Sequence, residues 1–593
     1  MILMKHFLLS LCLATLPFIL EGQNSILPLG NRSYHILDRL EITTGVPPTF
    51  HSTLKPYNRR QATTYASTID TAKIALGLSN RYDLFYIFRE NNEWLATSPF
   101  PTRLGGKREP ISNQTGLTQV EASYENAHYT LSKKPFLKYF YRTPANLFEV
   151  NEKYFYLRVN PLFHFSMAKS QGDSQPIFLN RRGVAVRGGV DDRIYFSFNI
   201  LETQARFPNY VNNYIDQIRG IPGQGFTKPY RSVLFDIERG YDFLNGQGYV
   251  GFNFTPHVGM QFGYGRNFIG NGYRSLLLSD FSNNYLYLKL NWQVGRFHYQ
   301  NLFTELTQGT PRSVPGDRLL PKKYMAAHYL SYNITPNFNI GLFESVIFNR
   351  EDHFEFHYLL PVMFYRTLEQ GLGSPDNVMI GITSKWNLFQ RFQLYGQLVL
   401  DEFKFKELVL DNQGWWANKV GYQLGLKYIN VLGIDHLDVQ FELNSVRPYT
   451  YTHREAMASY VHYNQNLAHP LGANFREWVL LFRHQLLKRF EIEGRIIGAS
   501  YGEDDEDTNV GSNLLLPSNG KTTDDYNNRI GQGIATKTVL FGLDVSYRLS
   551  HNFYIDLSYF YRNKNSASDP LDLRTQYLGA GVRINLDRTR MDF

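Results

Sequence analysis

Val539-Leu-Phe-Gly-Leu-Asp-Val-Ser-Tyr-Arg-Leu549, then Ser550-His551-Asn552, then Phe553-Tyr-Ile-Asp-Leu-Ser-Tyr-Phe-Tyr-Arg562, is the stretch whose periodicity decides the fold. In the first run Val539, Phe541, Leu543, Val545, Tyr547 and Leu549 alternate with Gly542, Asp544, Ser546 and Arg548. In the second, Phe553, Ile555, Leu557, Tyr559 and Tyr561 alternate with Asp556, Ser558 and Arg562. A period of two places apolar and aromatic side chains on one face of a strand and charged or small ones on the other. A half-buried soluble sheet alternates in the same way, so the connections have to separate the two.

Those connections alternate between short and long. Short ones fall at Asp191 to Arg193, Thr255 to His257, Val294-Gly295, Thr335 to Asn337, Asn387 to Gln390, Val431 to Asp435, Leu487-Lys488 and Ser550 to Asn552. Between them lie long polar segments: Arg206 to Asn245, Gly265 to Asn283, Leu306 to Lys323, Asn349 to Asn377, Phe403 to Asn418, Val446 to Asn474 and Gly502 to Ala535. Short turns on one side and long loops on the other mark an outer-membrane barrel, and a soluble sandwich has no reason to repeat that asymmetry. From 154–167 to 574–586 the segments count to about eighteen strands, an even number as such barrels require. The count puts both termini on the short-turn, periplasmic side and the long loops outside the cell.

Composition agrees. Tyr (41) and Phe (44) far outnumber Trp (6), and aromatics reach 15% of 593 residues. Yet mean hydropathy is only −0.34, and beyond the N-terminus no apolar run approaches the roughly 20 residues of a membrane helix. Strands that face lipid on one side and water on the other give this combination. A formal charge of +8 does not indicate nucleic acid, because Lys and Arg are scattered among Asp and Glu without a basic run. Anionic polysaccharide, or the lipid and lipopolysaccharide of the outer membrane, is the expected opposite charge.

Lys5 followed by the apolar Phe7 to Leu20 reads as an export leader over residues 1–22, cleaved near Gly22/Gln23. The single cysteine, Cys12, falls inside it, so the mature chain has no disulfide and no thiolate site. Residues 23–150 are expected to form a mostly helical periplasmic or plug region, and 151–593 the barrel. Ser33 to Ile42 carries Ile36, Leu37 and Leu40 at helical spacing after a Ser cap, and Gln61 to Leu78 is also helix-like. Two places fit a plain barrel poorly. In Phe338 to Phe348, Leu342 and Glu344 share one face while Phe343 and Ile347 share the other. His353 to Leu360 looks like an extra strand and is taken as an extracellular excursion. The final Phe593 is a candidate insertion signal, set several residues beyond the last strand.

Four stretches carry more than alternation: Asn267 to Asp280, Tyr395 to Phe403, Arg447 to His453 and Tyr463 to Phe475. Together with Leu27-Pro-Leu-Gly30, the helical Tyr34 to Ile42 and Leu54-Lys-Pro-Tyr57, they resemble the Wzi-like capsule assembly family, in the branch that includes gliding-motility-associated proteins. The resemblance covers nearly the whole mature chain. It implies an eighteen-stranded outer-membrane barrel with an N-terminal helical bundle, and within the family a lectin-like role in holding capsular polysaccharide at the cell surface.

Independently of family, the loops carry groups suited to carbohydrate. Trp415, Trp416, Tyr449, Tyr451 and Tyr463 offer flat apolar faces, and Asn464, Gln465, Asn474, Asp401 and Glu402 offer donors and acceptors beside them. An interfacial aromatic belt explains the tryptophans nearly as well. Arg266 and Arg274 either pair structurally with Asp280 in the barrel mouth or grip an anion. The Gly263 to Gly272 stretch lacks the ending of a phosphate loop. His453, His462 and His469 match no zinc spacing, and Asp504 to Asp507 lacks the pattern of a calcium loop. No metal, cofactor or catalytic constellation is expected. The leading function is binding or organising capsular or exopolysaccharide at the cell surface. The alternatives are a surface component of gliding motility or adhesion, gripped by other cell-surface proteins, and a solute channel.

Overall fold

The computed structural model describes residues 24–71, 78–95, 139–232, 237–313, 318–350, 353–373, 376–402, 404, 406–411, 413–568 and 572–593. The expected leader lies outside the described residues, as does 96–138 of the expected helical region. Eighteen antiparallel strands close into a barrel. They are β1 (Phe155–Ser170), β2 (Ile177–Val190), β3 (Ile194–Arg206), β4 (Gly240–Asn253), β5 (Val258–Gly265), β6 (Tyr285–Val294), β7 (Phe297–Thr307), β8 (Lys322–Thr335), β9 (Phe338–Phe348), β10 (Asn377–Leu388), β11 (Phe392–Leu400), β12 (Val420–Tyr428), β13 (Leu437–Val446), β14 (Phe475–Leu487), β15 (Phe490–Glu503), β16 (Ile534–Ser550), β17 (Phe553–Ser566) and β18 (Leu573–Ile584). β18 closes the ring on β1, from Tyr577 opposite Ser170 to Ile584 opposite Phe163, and closure leaves no open edge.

The alternation maps onto the wall as the hairpin implied. Val539, Tyr547, Ile555 and Leu557 point outward and are exposed, whereas Leu540, Asp544, Ser546, Asp556 and Phe560 point inward and are buried. Inside, large rings lie flat over cross-strand glycines. A Cβ on Gly425 would stand 2.0 Å from the Tyr395 ring, so only glycine lets that ring cross the strand.

Three helices cap the short-turn end: α1 (Ser33–Thr44), α2 (Arg59–Thr71) and α3 (Leu78–Glu90). Their core includes Ile36, Leu37, Leu40, Tyr65, Ile69 and Leu84. The expected Ser cap is one step off. Ser33 is the first helical residue, and Asn31 Oδ1 accepts its N–H at 2.8 Å. The helix stops at Gly45, whose φ of 69° suits glycine. Polar contacts fasten this cap to the barrel. Asp38 meets Lys427 at 2.6 Å, Glu93 accepts from Arg187 at 2.9 Å, and Glu90 accepts from Asn552 at 2.8 Å. Arg39, almost wholly buried, pairs with Asp438.

The chain end also turns inward. After β18 the tail re-enters the lumen: Arg588 reaches Asp556 at 3.1 Å, Arg590 reaches Glu493 at 2.8 Å, and Asp592 accepts from Arg495 at 3.0 Å. Phe593 packs against Tyr214 with ring centroids 4.6 Å apart and lies near Tyr210 and Phe281. In the folded barrel the candidate insertion signal is thus seated inside the lumen. The residues between Ile584 and Phe593 give the aromatic enough chain to fold back into the barrel.

The β9 anomaly has a physical answer. Phe343 and Ile347 face the lumen, while Leu342, Glu344, Val346 and Phe348 face outward. Leu342 is exposed there, but Glu344, Val346 and Phe348 are buried, because the β9–β10 connection folds down over the outside of the barrel. The apparent strand at His353 to Leu360, taken as an excursion, is no part of the barrel: it holds a 3-10 turn at Phe356–Leu359, followed by a helix at Tyr365–Gly371. Glu344 accepts the backbone N–H groups of Tyr365 and Arg366, each at 3.0 Å, which satisfies a carboxylate on the outer wall.

Candidate functional site at the long-loop mouth

The four distinctive sequence stretches meet in one place, where long loops bend into the mouth. The β5–β6 loop descends furthest. Leu276, Leu277 and Leu278 are fully buried in the lumen core, and Phe268–Ile269 pairs as a strand with Leu54–Lys55 of the N-terminal region. Gln397 on β11 accepts the Leu276 N–H at 2.7 Å and donates to the Ile269 carbonyl at 2.9 Å. Tyr451 donates its hydroxyl proton to the Leu276 carbonyl at 2.7 Å, and Tyr460 does the same to Leu277 at 2.8 Å. Beneath them Glu442 accepts from Tyr273 N–H and Tyr395 hydroxyl, both at 2.8 Å. Glu477 takes His469 at 2.7 Å and Arg274 at 3.0 Å. A network this fully satisfied fixes the loops as a plug.

Most of the expected sugar-binding groups are used in building this plug. Tyr449 and Tyr451 are buried, with backbones in the left-handed region at φ 65° and 71°. That conformation costs roughly 1–2 kcal/mol for a side-chain-bearing residue, and their buried hydroxyl bonds hold it in place. Gln465 accepts Gly223 N–H at 2.7 Å and donates to the Gln224 carbonyl at 2.9 Å. Asn474 donates to Gln532 and accepts from Gly531 at 2.8 and 2.7 Å. Asn464 donates to the Ile218 carbonyl at 3.1 Å, and Tyr463 N–H donates to the Thr307 carbonyl at 2.9 Å. Arg274 pairs with Glu477, whereas Arg266 donates to the Asp280 carbonyl at 2.7 Å. Of the two arginines only Arg266 therefore meets Asp280. Loop residues are ordinarily surface residues, but these loops fold inward.

Asp401 is buried, accepts the Tyr451 N–H at 2.7 Å, and has its carboxyl pushed up to about 7 by burial, with nearby Lys419 opposing. A carboxyl raised above its unfolded value of about 3.9 holds a proton more tightly when folded, so the stability it contributes is complete below about pH 4 and lost as pH rises to about 7. Limited proteolysis of the detergent-solubilised protein should find the mouth loops more resistant at pH 5 than at pH 8. Asp401→Asn should remove that difference, and an unchanged pH dependence in the variant would assign it to another group.

What remains on the rim is a smaller cluster. Trp415 and Trp416 are half-buried, and Glu402 beside them is exposed. Trp416 packs edge-on to Tyr449 at 5.7 Å, and its backbone N–H donates to the Asp525 carbonyl at 2.8 Å, tying the β11–β12 and β15–β16 loops together. Lys404 lies 4.4 Å from the Trp415 ring, and Lys419 and Lys521 each lie 5.7 Å from that of Trp416. Lys404 and Lys521 are far apart in sequence and were not singled out there. No spacing rule connects them, and only the meeting of two loops does.

Between plug, helical cap and tail lies a cavity of about 790 Å³. Its wall includes Tyr34, Lys55, Arg181, Arg266, Asp280 and Asp587. The Lys55 amine lies 4.9 Å from the Phe268 ring, and burial pushes it down to about 8.

Among the described residues no helix is long and apolar enough to cross a membrane. Neither a family model nor a curated relative matches the sequence. Among solved structures the chain is similar to Wzi of Escherichia coli, an outer membrane protein involved in group 1 capsule assembly and described as a carbohydrate-binding β-barrel. The identity is 12% over 96% of this chain and 100% of that one, with a TM-score of 0.55. It is also similar to OprD of Pseudomonas aeruginosa, at 10% identity over 72% of this chain and 94% of that one, with a TM-score of 0.38. OccK2 of the same organism, in complex with glucuronate, gives 8%, 72%, 95% and 0.38. At these identities the likeness concerns the fold alone, and the fold is that of an outer-membrane β-barrel.

Proposed function

We propose that this protein binds or organises capsular or exopolysaccharide at the cell surface, with its long loops outward, and that the polymer is anionic. The observation that carries the reading is the rim cluster, in which the Trp415 ring stands beside the exposed Lys404 and the Trp416 ring beside Lys521, which also meets Asp525 at 3.0 Å, with Lys419 buried behind them. Indole faces stack on the apolar face of a sugar ring, and ammonium groups beside them favour a carboxylate-bearing sugar over a neutral one. The likeness to Wzi, itself described as carbohydrate binding, supports the class of ligand.

Acidic and neutral surface polysaccharides should be titrated onto the detergent-solubilised full chain. The acidic polymer is expected to bind more tightly, and Trp415→Ala with Trp416→Ala to weaken it about tenfold or more, as truncating a pair of aromatic anchors does. Equal binding by wild type and variant would remove the rim from the reading. Deleting the gene tests the role: unchanged capsule retention together with lost surface spreading would replace the polysaccharide reading with a motility one.

A further inference from the structure

The β9–β10 connection is not arranged like the other long loops. Its inner side covers the upper outer wall: Phe354 and Tyr358 pack on Phe348 at 5.1 and 4.8 Å, and Tyr365 stacks on His328 at 4.4 Å. All these wall residues lie on the outward face of β8 and β9. The connection also reaches far down. The Pro361 carbonyl accepts from Asn301 at 3.4 Å and from the Tyr299 hydroxyl. Tyr299 and Asn301 are the third and fifth residues of β7 counted from its short-turn end. A tilted strand needs roughly 9–11 residues to span the hydrocarbon, so Pro361 lies well inside the band that the barrel presents to lipid.

Non-barrel backbone at that depth is tolerated only when its polar groups are satisfied. Here proline has no N–H to satisfy, its carbonyl takes two donors from β7, and Glu344 takes the N–H groups of Tyr365 and Arg366. The far side is apolar from Leu359 to Phe364, while His357 before it and Arg366 after it are exposed polar positions. Phe356, Val362 and Phe364 are 77%, 79% and 70% exposed, with Leu359, Leu360 and Met363 between them. This face continues the bare wall beside it, where Leu342, Ile380 and Ile382 are exposed on β9 and β10.

We propose that residues 359–364 form the intramembrane tip of a flap, clamped to the outer wall through Glu344, Tyr299 and Asn301, whose apolar outer face is covered by the acyl chains of the surrounding membrane. The occupant is lipid because the patch is continuous with the lipid-facing wall and lies at its depth. A flap in water would expose the same side chains at a large hydrophobic cost.

Spin labels test this. With Cys12 replaced by alanine, single cysteines are introduced by Val362→Cys and Phe364→Cys on the flap, Leu342→Cys on the bare wall and Leu432→Cys in a short turn. The full chain is labelled and reconstituted into phosphatidylethanolamine/phosphatidylglycerol vesicles, and collisions with oxygen and with a polar nickel chelate are measured. The oxygen-to-nickel ratio at 362 and 364 should match that at 342 and exceed that at 432 by about tenfold, since hydrocarbon excludes the polar reagent. Nickel access equal to that at 432 would place the flap in water and overturn the proposal. Exclusion of both reagents would mean that a protein, a second copy included, covers it, and would overturn it equally. Both flap positions are exposed, so labelling them leaves the packed side of the flap unaltered.

Discussion

Asp438→Ala is expected to loosen the helical cap from the barrel by about 3–5 kcal/mol, the cost of stranding one member of a buried ion pair. Arg39 is nearly inaccessible. It donates to both Asp438 oxygens and to Asn430 at 3.1 Å, and lies 3.4 Å from Asp83 on α3. Without Asp438 the guanidinium keeps its desolvation penalty and loses its main partner, while His35, 3.0 Å from the same carboxylate, loses one as well. The cut should appear in trypsin digestion of the vesicle-embedded protein. Cleavage within residues 24–95 should speed up by roughly a hundredfold or more, because proteolysis follows the population of the opened form. A double variant, Arg39→Leu with Asp438→Leu, removes both charges but leaves the buried Asp83 with His436 alone, and should recover part of the resistance. If Asp438→Ala digests like the wild type, the cap is held by its other contacts.

The second large effect concerns the tail. Truncation after Leu586 removes Arg588, Arg590 and Asp592, and leaves Glu493 without Arg590 and Arg495 without Asp592. Each keeps one partner, Arg483 for Glu493 at 3.3 Å and Asp544 for Arg495 at 2.6 Å, so each lost contact costs about 1.5–3 kcal/mol, as a charged hydrogen bond does. The truncated barrel should therefore unfold at lower temperature on heat-modifiability gels. Phe593→Ala is the informative partner. A half-buried ring truncated to alanine should cost about 2–3 kcal/mol, below the 3–5 of a fully buried one. Its membrane yield should stay near that of wild type. A large fall in membrane-inserted protein without any fall in melting temperature would assign an insertion role to that residue.

The strands were legible because each is two-sided, and the sides differ in solvent. Leu557 and Ile555 meet lipid while Asp556 meets Arg583 at 2.6 Å, so the pattern is enforced residue by residue. β4 shows the limit: the long segment read as loop up to Asn245 already carries strand from Gly240, because Asp242 and Asn245 look like loop when nothing indicates that they pair with β3. Glu344 stood out as an apparent fault, and its cause was a cover some twenty residues onward that no periodicity announces. The mouth was hardest. Tyr451 and Gln465 have the composition of ligand-binding residues, and the chemistry that would grip a sugar is the same chemistry that grips a backbone carbonyl. Burial decides between them, and burial in the mouth depends on loops meeting across the barrel. Trp415 and Trp416 kept a partly open position for the same non-local reason.

The inward-turned tail has a practical consequence for anyone handling this protein. A purification or detection handle fused after Phe593 would begin inside the barrel, 2.9 Å from Arg562 at its attachment point. In finished molecules it would be hidden from antibody and resin, or would have to drag the last residues out of their seats. Such a handle would preferentially report chains that have not completed assembly, and a pull-down through it would enrich immature barrels and the factors that attend them. A handle in the turn at Leu432, fully outside the wall, would sample the mature population instead.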